Sequence, residues 1–504
     1  MSSTLTRREA LGMFAALAAT GARADSSAFA KSQWDLIVVG AGTAGLPAAL
    51  FAAGRKLRVL LIEKGADIGG TLWFSGGQMS AAGTRLQKAK GIADSAQSHF
   101  QDIVRISRGT ANKEVVRLAV ENAAATLDWL DASGLPIGPE YPVPATGHEP
   151  YSHARVWAAQ ERGLSIINVM RKQLEAAPDN LQLLTGVEAL EPIIDGRKRV
   201  IGVVGVDHSG ARRDFRAPHV VLASGGYMGN PALFQELNGL SQHRAAGWPL
   251  NTGGGIKIGR AAGGWTRGKE NFLCDFGSIP ASITGPSPEL ARSIHHPHRR
   301  QPWEIAVNSQ GRRFMAEDLP SVDDRERALV DQLEHRYWLV FDDEILNSSP
   351  VLVRTAPPGA VRDWTHTETV AAFNKHEAFV RADSLEELAA KAGIDASNLV
   401  TTVREYNEGR AKGSDAFGRK HMPRPIGRPP YYAIRHQGGT LISIAGLAVD
   451  GRLRVTRPDG SPIQGLYAAG ELLGNGTLSG KAFCAGMSVT PALTFGRWLG
   501  LNIR

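Results

Sequence analysis

The chain has almost no cysteine: Cys274 and Cys484 are the two among 504 residues. A disulfide scaffold is excluded, and so is a zinc or iron–sulfur centre built on thiolates, which needs about four ligands. There is no Cys-x-x-Cys-His, so haem is not attached covalently to this chain. No run of about 18 or more apolar residues occurs, which argues against a membrane span. The formal net charge is +8, yet the basic residues are scattered and no nucleic-acid-binding motif is present. The charge reads as a solubility and steering term. What is abundant is glycine, 57 residues without a collagen period, which directs attention to tight turns and close backbone approaches. The length fits two or three lobes at roughly 100–200 residues each.

Residues 1–24 read as an export signal. Thr6-Arg7-Arg8-Glu9 precedes the apolar run Ala10–Ala19, and Ala22-Arg23-Ala24 offers a small-x-small cleavage site. Paired arginines before a short Ala-rich stretch resemble a twin-arginine signal, which exports folded proteins and implies a periplasmic location.

Trp34–Val39 reads as a buried parallel strand, and Gly40-Ala41-Gly42-Thr43-Ala44-Gly45 follows at once. An Ala-rich helical stretch, Leu46–Ala53, leads to a second strand, Leu57–Ile62, which ends at Glu63. Strand, G-x-G-x-x-G, helix, strand and acid in that order form a dinucleotide fingerprint. Gly40 permits the sharp turn, Gly42 lets the backbone approach a pyrophosphate, and Gly45 lets helix and sheet pack closely. The helix start offers free N–H groups to phosphate, and Glu63 accepts hydrogen bonds from a ribose.

Gly69-Gly70-Thr71 and Ser75-Gly76-Gly77 come next. Here the sequence resembles the FAD-dependent fumarate reductase, succinate dehydrogenase and 3-ketosteroid dehydrogenase group. The resemblance continues through Val220–Gly226, a strand and Gly-Gly turn, and through Asn251–Ile256, an Asn-Thr-Gly-Asp-Gly segment with Gly254 in place of the Asp. Gly311-Arg312-Arg313-Phe314 and Trp338–Asp343 match two landmarks of the group's cap. Gly465–Glu471, Gly486–Thr490 and Thr494–Arg497 match its second cofactor segment. The implied fold is α/β: a discontinuous Rossmann-like FAD-binding domain of the glutathione-reductase type with an inserted α+β capping domain. The implied boundaries are 31–270 and 430–504 for the FAD-binding domain and 271–429 for the cap. Pro423, Pro425, Pro429 and Pro430 crowd at the second boundary, and Ser384–Ala392 and Asn398–Arg410 read as amphipathic cap helices.

The implied cofactor residues are Gly40, Gly42, Thr43, Ala44, Gly45, Glu63, Lys64, Gly70, Thr71, Ser75, Gly76, Gly77, Val187, Ala223, Ser224, Gly225, Asn251, Thr252, Gly253, Gly470, Glu471, Ser488 and Val489. Thr71-Leu72-Trp73-Phe74 stands where succinate dehydrogenases attach FAD through a His, so the FAD is expected to be noncovalent. A helix starting near Met487-Ser488 would aim its positive end at flavin N1/C2=O and stabilise the reduced anion. Ser488 and Thr490 read equally as plain helix caps.

The resemblance implies hydride transfer at a C–C bond next to a carbonyl, with a small-molecule substrate and a separate electron acceptor or donor. Fumarate reductases clamp dicarboxylates with arginines and a His. Here Ser321 stands eight residues past Arg313, where the acid arginine is expected, and Leu441-Ile442-Ser443 replaces His-His-Thr. The last clamp arginine falls at Phe483 or Lys481, depending on the direction of counting. Arg300 lines up with the group's proton-relay arginine, and equally reads as a solvated charge. Gly486 matches the glycine whose N–H polarises a ketone in the ketosteroid dehydrogenases, while the partnering tyrosine position falls on Ala482 or Phe483. Ser321, Lys481, Arg300, Tyr432 and Gly486 are the catalytic candidates. His148, His153, His295 and His296 read as surface loop histidines. The expected substrate is a fairly apolar ketone, desaturated or formed by ene reduction. The alternatives are a reductase of an unsaturated carboxylate clamped by Lys481 and Arg300, and a flavin electron carrier without an organic substrate.

Overall fold

The computed structural model describes residues 34–504 except 146–147, 245–246, 296–298 and 357–360. Residues 1–24, expected to form an export signal, and His296 therefore lie outside the described residues.

Leu36–Val39 forms the first strand, and Leu36, Ile37 and Val38 are fully buried. A strand apolar on both faces belongs in the middle of a parallel sheet, covered on each side. It pairs in parallel with Val59–Ile62 on one side and Val220–Leu222 on the other. The complete sheet runs Arg454–Thr456, Pro462–Ala468, Val220–Leu222, Leu36–Val39, Val59–Ile62, Leu181–Leu184, with only the first of these antiparallel to its neighbour. Residues from both ends of the chain thus build one sheet. The helix Gly45–Gly54 leaves the fingerprint turn with Ala48, Ala49, Ala52 and Ala53 buried, and the C-terminal helix Val489–Asn502 packs on it. A Cβ at Gly496 would lie 2.0 Å from the Ala44 carbonyl oxygen, and one at Gly500 2.6 Å from that of Ala48. Glycine one turn apart is what lets these two helix backbones touch.

The insertion carries a four-stranded antiparallel sheet in the order Ile305–Val307, Arg336–Asp342, Tyr431–Gln437, Phe379–Ala382. Helices Leu385–Ala392 and Ala396–Lys412 cover it through Leu388, Leu399 and Val403. The strand Tyr431–Gln437 was expected to open the second cofactor segment. It pairs instead with Trp338 and its neighbours in the cap, because Tyr432 and Ile434 bury against Phe341, Phe373 and Phe379. The proline cluster therefore feeds the last cap strand, and the cap's sheet extends past residue 430. A second, three-stranded sheet of Ser278–Pro280, Glu289–Ser293 and Val353–Thr355 faces the cofactor lobe.

A Cβ at Gly45 would sit 1.7 Å from the Gly40 carbonyl oxygen, with no room to move. Gly45→Val is expected to abolish dinucleotide binding, read as loss of cofactor absorbance per mole of purified chain. Gly54→Ala, where nothing lies within 4 Å of the added methyl, should retain full occupancy.

Candidate functional site

A cavity of 930 Å³ extends from the fingerprint turn to the inner face of the cap. That is near the top of the roughly 300–1,000 Å³ range of ligand pockets. Gly42 and Gly76 line it, with nothing within 4 Å of the place a Cβ would take. Such bare backbone is what a pyrophosphate needs. Glu63, at the end of its strand, accepts from the Ala41 N–H at 2.7 Å and the Gly65 N–H at 2.6 Å. Burial nevertheless raises its carboxyl above the ordinary range. Lys64 reaches Glu188 at 2.8 Å and the Thr252 hydroxyl at 3.3 Å. Asn251 donates to Thr71 Oγ1 and to Glu471 Oε2, each at 3.2 Å. Ser443 gives Glu471 Oε1 two more hydrogen bonds, at 3.0 and 2.9 Å. The first turn of Val489–Asn502 opens onto the cavity through Ser488, Val489 and Ala492. Ser488 does not cap its own helix; its hydroxyl donates to Asn475 Oδ1 at 3.3 Å. Thr490 N–H donates to the Gly486 carbonyl at 3.1 Å and Pro491 has no N–H, so the Val489 N–H is the first-turn amide offered to a ligand at that positive helix end.

The cap and the loops around Arg244, Leu441 and Phe483 supply the other half. Phe276, Phe483, Leu441, Ile442 and Val361 make much of it apolar. Arg244 Nη1 lies 2.6 Å from Asp275 Oδ2, Arg292 Nη2 2.9 Å from the same oxygen, and Arg292 Nη1 3.2 Å from Glu289 Oε1. Arg244 also meets Glu289 Oε2. Two guanidiniums and two carboxylates cancel within the wall. Burial pushes the Asp275 carboxyl upward, but Arg244, Arg292 and the Gly439 N–H together hold it below its usual range. Burial wins at Glu289, which is raised.

Beside this quartet His148 Nδ1 sits 3.1 Å from Asp323 Oδ1 and 4.0 Å from Glu326 Oε2. Asp323 and Glu326 are three apart on the helix Val322–Val330 and so share a face. Asp323 also receives long hydrogen bonds, 3.4 Å each, from the N–H groups of Glu149 and Phe483. The Phe483 ring lies 4.4 Å from the imidazole. Burial lowers the His148 pKa, but Glu326 and Asp323 outweigh it and the net shift is upward. Burial drives Glu326 up to about 8, against the His148 charge and with the help of Asp323 and Asp275. The donor atoms of these three residues lie within 4.8 Å of one another, a spacing a metal ion would also fit.

The cofactor candidates all line the cavity except Gly45, Gly77 and Gly253, which hold neighbouring backbone in place. Among the catalytic candidates only Gly486 lines it. Ser321 caps the helix that carries Asp323, accepting from the Asp324 N–H at 3.2 Å. Arg300 is buried in a bidentate pair with Glu304, both bonds 2.9 Å. Tyr432 donates to Asp343 at 3.1 Å on the cap sheet. Lys481 is fixed by its N–H to Thr110 and its carbonyl to Arg327, beside the wall rather than in it. The surface reading fails for His148 and His295, which line the cavity, while the His153 side chain is 41% exposed. Neither His148 nor its two acids could be paired from sequence, because 175 residues separate His148 from Asp323.

The family profile described as FAD binding domain matches residues 35–487. The chain belongs to the FAD binding domain family. It is 27% identical over 476 residues to a fumarate reductase (cytochrome) of Shewanella frigidimarina, covering 92% of this chain and 76% of that one. It is 26% identical over 558 residues to the 4-oxocyclohexanecarboxylate 2-dehydrogenase of Sinomonas cyclohexanicum, covering 94% and 93%. In fold it is similar to the 3-ketosteroid delta1-dehydrogenase of Sterolibacterium denitrificans, with a TM-score of 0.67 at 22% identity over 93% of this chain and 99% of that one. FAD is the cofactor, and the open backbone at Gly42 and Gly76, the Glu63 carboxylate and the Ser488 helix end fit it. The flavoprotein is an oxidoreductase of the class that acts on CH–CH bonds. Among the described residues no helix is long and apolar enough to cross a membrane.

Glu326 keeps its proton up to about pH 8 in the folded flavoprotein and only to the ordinary carboxylate range when unfolded. The folded state therefore binds more protons between those values, and stability falls as pH rises through that window. The raised His148 acts in the same direction, while Asp323, Asp275 and Arg292 supply the surrounding charge. Calorimetry should show Tm falling from about pH 5 to about pH 8, with a flatter fall in Glu326→Gln. Equal slopes in the two proteins would contradict this assignment.

Proposed function

We propose that the enzyme desaturates, or in reverse reduces, the C–C bond next to the carbonyl of a largely apolar ketone with at most one acidic group. The observation that carries this reading is the commitment of the cations on and beside the cavity wall. Arg244 and Arg292 are neutralised by Asp275 and Glu289, and Arg300 and Lys481 lie outside the cavity. Of the cap-wall arginines on the cavity, Arg354 is the one with no carboxylate partner among the described residues. One guanidinium seats one carboxylate. A dicarboxylate would leave its second charge unpaired beside Phe276, Phe483 and Leu441, at a cost of several kcal/mol.

When bound, FAD supplies the site that takes up or returns a hydride. The protein's part is to hold and polarise the ketone. Gly486 lines the cavity with a backbone N–H that meets no acceptor among the described residues, in a left-handed turn of φ +78°. A Cβ at this position would strike the Met79 carbonyl carbon at 2.4 Å, so the loop must carry glycine. The Tyr151 hydroxyl fixes the preceding residue, donating to the Ala485 carbonyl at 2.7 Å. Phe276, Phe483 and Ile442 exclude water from the apolar skeleton. The paired arginines ahead of residue 24 support a periplasmic site of action, with a separate electron acceptor or donor completing the cycle.

Anaerobic mixing of the oxidised holoenzyme with 4-androstene-3,17-dione or 4-oxocyclohexanecarboxylate should bleach the flavin. Fumarate should reoxidise the reduced enzyme at least about 100-fold more slowly than 2-cyclohexen-1-one, a gap of ~2.7 kcal/mol in barrier. Rapid fumarate turnover together with indifference to every cyclic ketone would overturn the proposal. Arg354→Met should raise KM for 4-oxocyclohexanecarboxylate and leave that for 4-androstene-3,17-dione unchanged.

A further inference from the structure

We propose that His148 is the catalytic acid–base of this enzyme, acting through Nε2, with Asp323 as its positioning residue. The inference rests on the reading of the substrate as a carbonyl compound but not on which one.

Four observations converge. First, His148 lines the same cavity as Gly486 and Ser488, and its side chain keeps 24% of its surface exposed while Asp323 has none. Second, its Nδ1 is occupied by Asp323 at 3.1 Å, and Nε2 has no hydrogen-bond partner among the described residues. A carboxylate on Nδ1 fixes the tautomer with the proton there, so that Nε2 is the lone-pair nitrogen, and stabilises the imidazolium once formed. Third, Asp323 accepts from the Phe483 N–H, and Phe483 packs on the imidazole. The dyad is thereby tied to the loop that carries Gly486. Fourth, the other cavity histidine, His295, holds its Nδ1 on the Ser293 carbonyl at 2.8 Å rather than on a carboxylate, and the catalytic candidates named from the sequence are elsewhere. Ser321, Tyr432, Arg300 and Lys481 do not line the cavity. Cys274 does, but burial pushes its thiol far above the ordinary value. The charged groups around His148 are Asp323 and Glu326 from the cap helix and Arg292 from the cap's small sheet. Glu326 in turn faces Asp275.

In desaturation the C–H bond on the carbon next to the carbonyl breaks, and its proton goes to His148 Nε2. The electron pair left behind becomes the new C=C bond as the neighbouring carbon loses hydride to FAD. The substrate is oxidised by two electrons and FAD is reduced by two. Reduction runs the same path backward, with His148 Nε2 returning the proton.

The test uses the full-length holoenzyme and two independent readouts. The first is residue-resolved modification by diethyl pyrocarbonate, followed by mass spectrometry from about pH 5 to about pH 9. His148 should react, with an apparent pKa above that of an ordinary histidine. In Asp323→Asn that value should drop. A His148 that stays unmodified throughout would show that Nε2 does not face the cavity and would overturn the proposal. The second is turnover of whichever probe the wild type handles fastest among 4-androstene-3,17-dione, 4-oxocyclohexanecarboxylate and fumarate. If fumarate is fastest, the ketone reading fails while the role of His148 is still measured. His148→Ala should lose roughly 10²–10⁴-fold in kcat, with flavin content and reduction by dithionite unchanged. Added free imidazole should restore activity in proportion to its concentration. Asp323→Asn should retain partial activity with the acid limb of its pH profile displaced downward. A loss in His148→Ala of under about threefold, or a loss that imidazole does not restore while the Asp323→Asn profile stays put, would assign His148 a structural role only.

Discussion

Backbone packed directly on backbone at the fingerprint turn is the constraint on which the other features depend. Gly45 lets its helix start against the Gly40 carbonyl, and Gly496 lets the C-terminal helix rest on the Ala44 carbonyl. Two helices and a strand end therefore meet within a few ångströms of one another, although they come from opposite ends of the chain. That contact does more than fill space. It brings the Gly470 turn and the Ser488 helix end to the cavity that Gly42 opens. The open backbone at Gly42 and the Ser488 helix end are then parts of one rigid unit. A side chain at Gly45 or Gly496 would pry the unit apart, because each meets backbone at 2.0 Å or less.

The cap solves a different problem, which is to cover an apolar reaction space with a chain rich in arginine. Its solution is compensation by buried ion pairs, on the cavity wall at Arg244 and Arg292 and away from it at Arg300 and Arg313. Arg300 with Glu304, Arg313 with Glu317 and Asp415, and Arg244 and Arg292 with Asp275 and Glu289 each place buried cations against buried carboxylates. Buried pairs of this kind add little net stability, because desolvation offsets attraction, but breaking one is expensive. Their value lies in geometry. A net basic composition is thereby converted into a nearly neutral cavity wall, which is why the charge count alone says little about the substrate.

The parts of this architecture written locally in the chain were legible. Strand, glycines, helix, strand and Glu63 lie within a stretch of 30 residues, and each glycine's role follows from its neighbours in sequence. The second cofactor segment was legible for the same reason. What could not be read was anything made by pairing across the fold. Ser321 occupies the place of an acid by count, yet its hydroxyl is used by the helix it starts, and the acid of that helix is two residues further on. His148 sits in a loop whose polar, Pro-flanked composition resembles any surface turn. Only the arrival of Asp323 and Phe483 from distant segments makes it part of a site. Tyr431–Gln437 failed for a related reason: a proline cluster marks a turn, but which sheet the next strand joins depends on the aromatic partners waiting there.

His148 belongs to the cofactor lobe and Asp323 to the cap, so the dyad exists only because the two are docked. The docking is built around the helix Val322–Val330. Arg327 bonds the carbonyls of Ile106 at 3.0 Å and Lys481 at 3.1 Å, and Arg108 reaches back to Asp324. Arg244, from the cofactor lobe, closes on Asp275 and Glu289 at the other edge of the cavity. The same ion pairs that neutralise the wall therefore also hold the cap in register with the imidazole. If the cap moved by even a few ångströms, Nδ1 would lose its carboxylate and Glu326 would gain water. Both changes would return the titrating groups toward their ordinary values. Proton transfer and enclosure of the substrate are thus set by one interface, and an arrangement that admits substrate freely is not the arrangement that can move its proton.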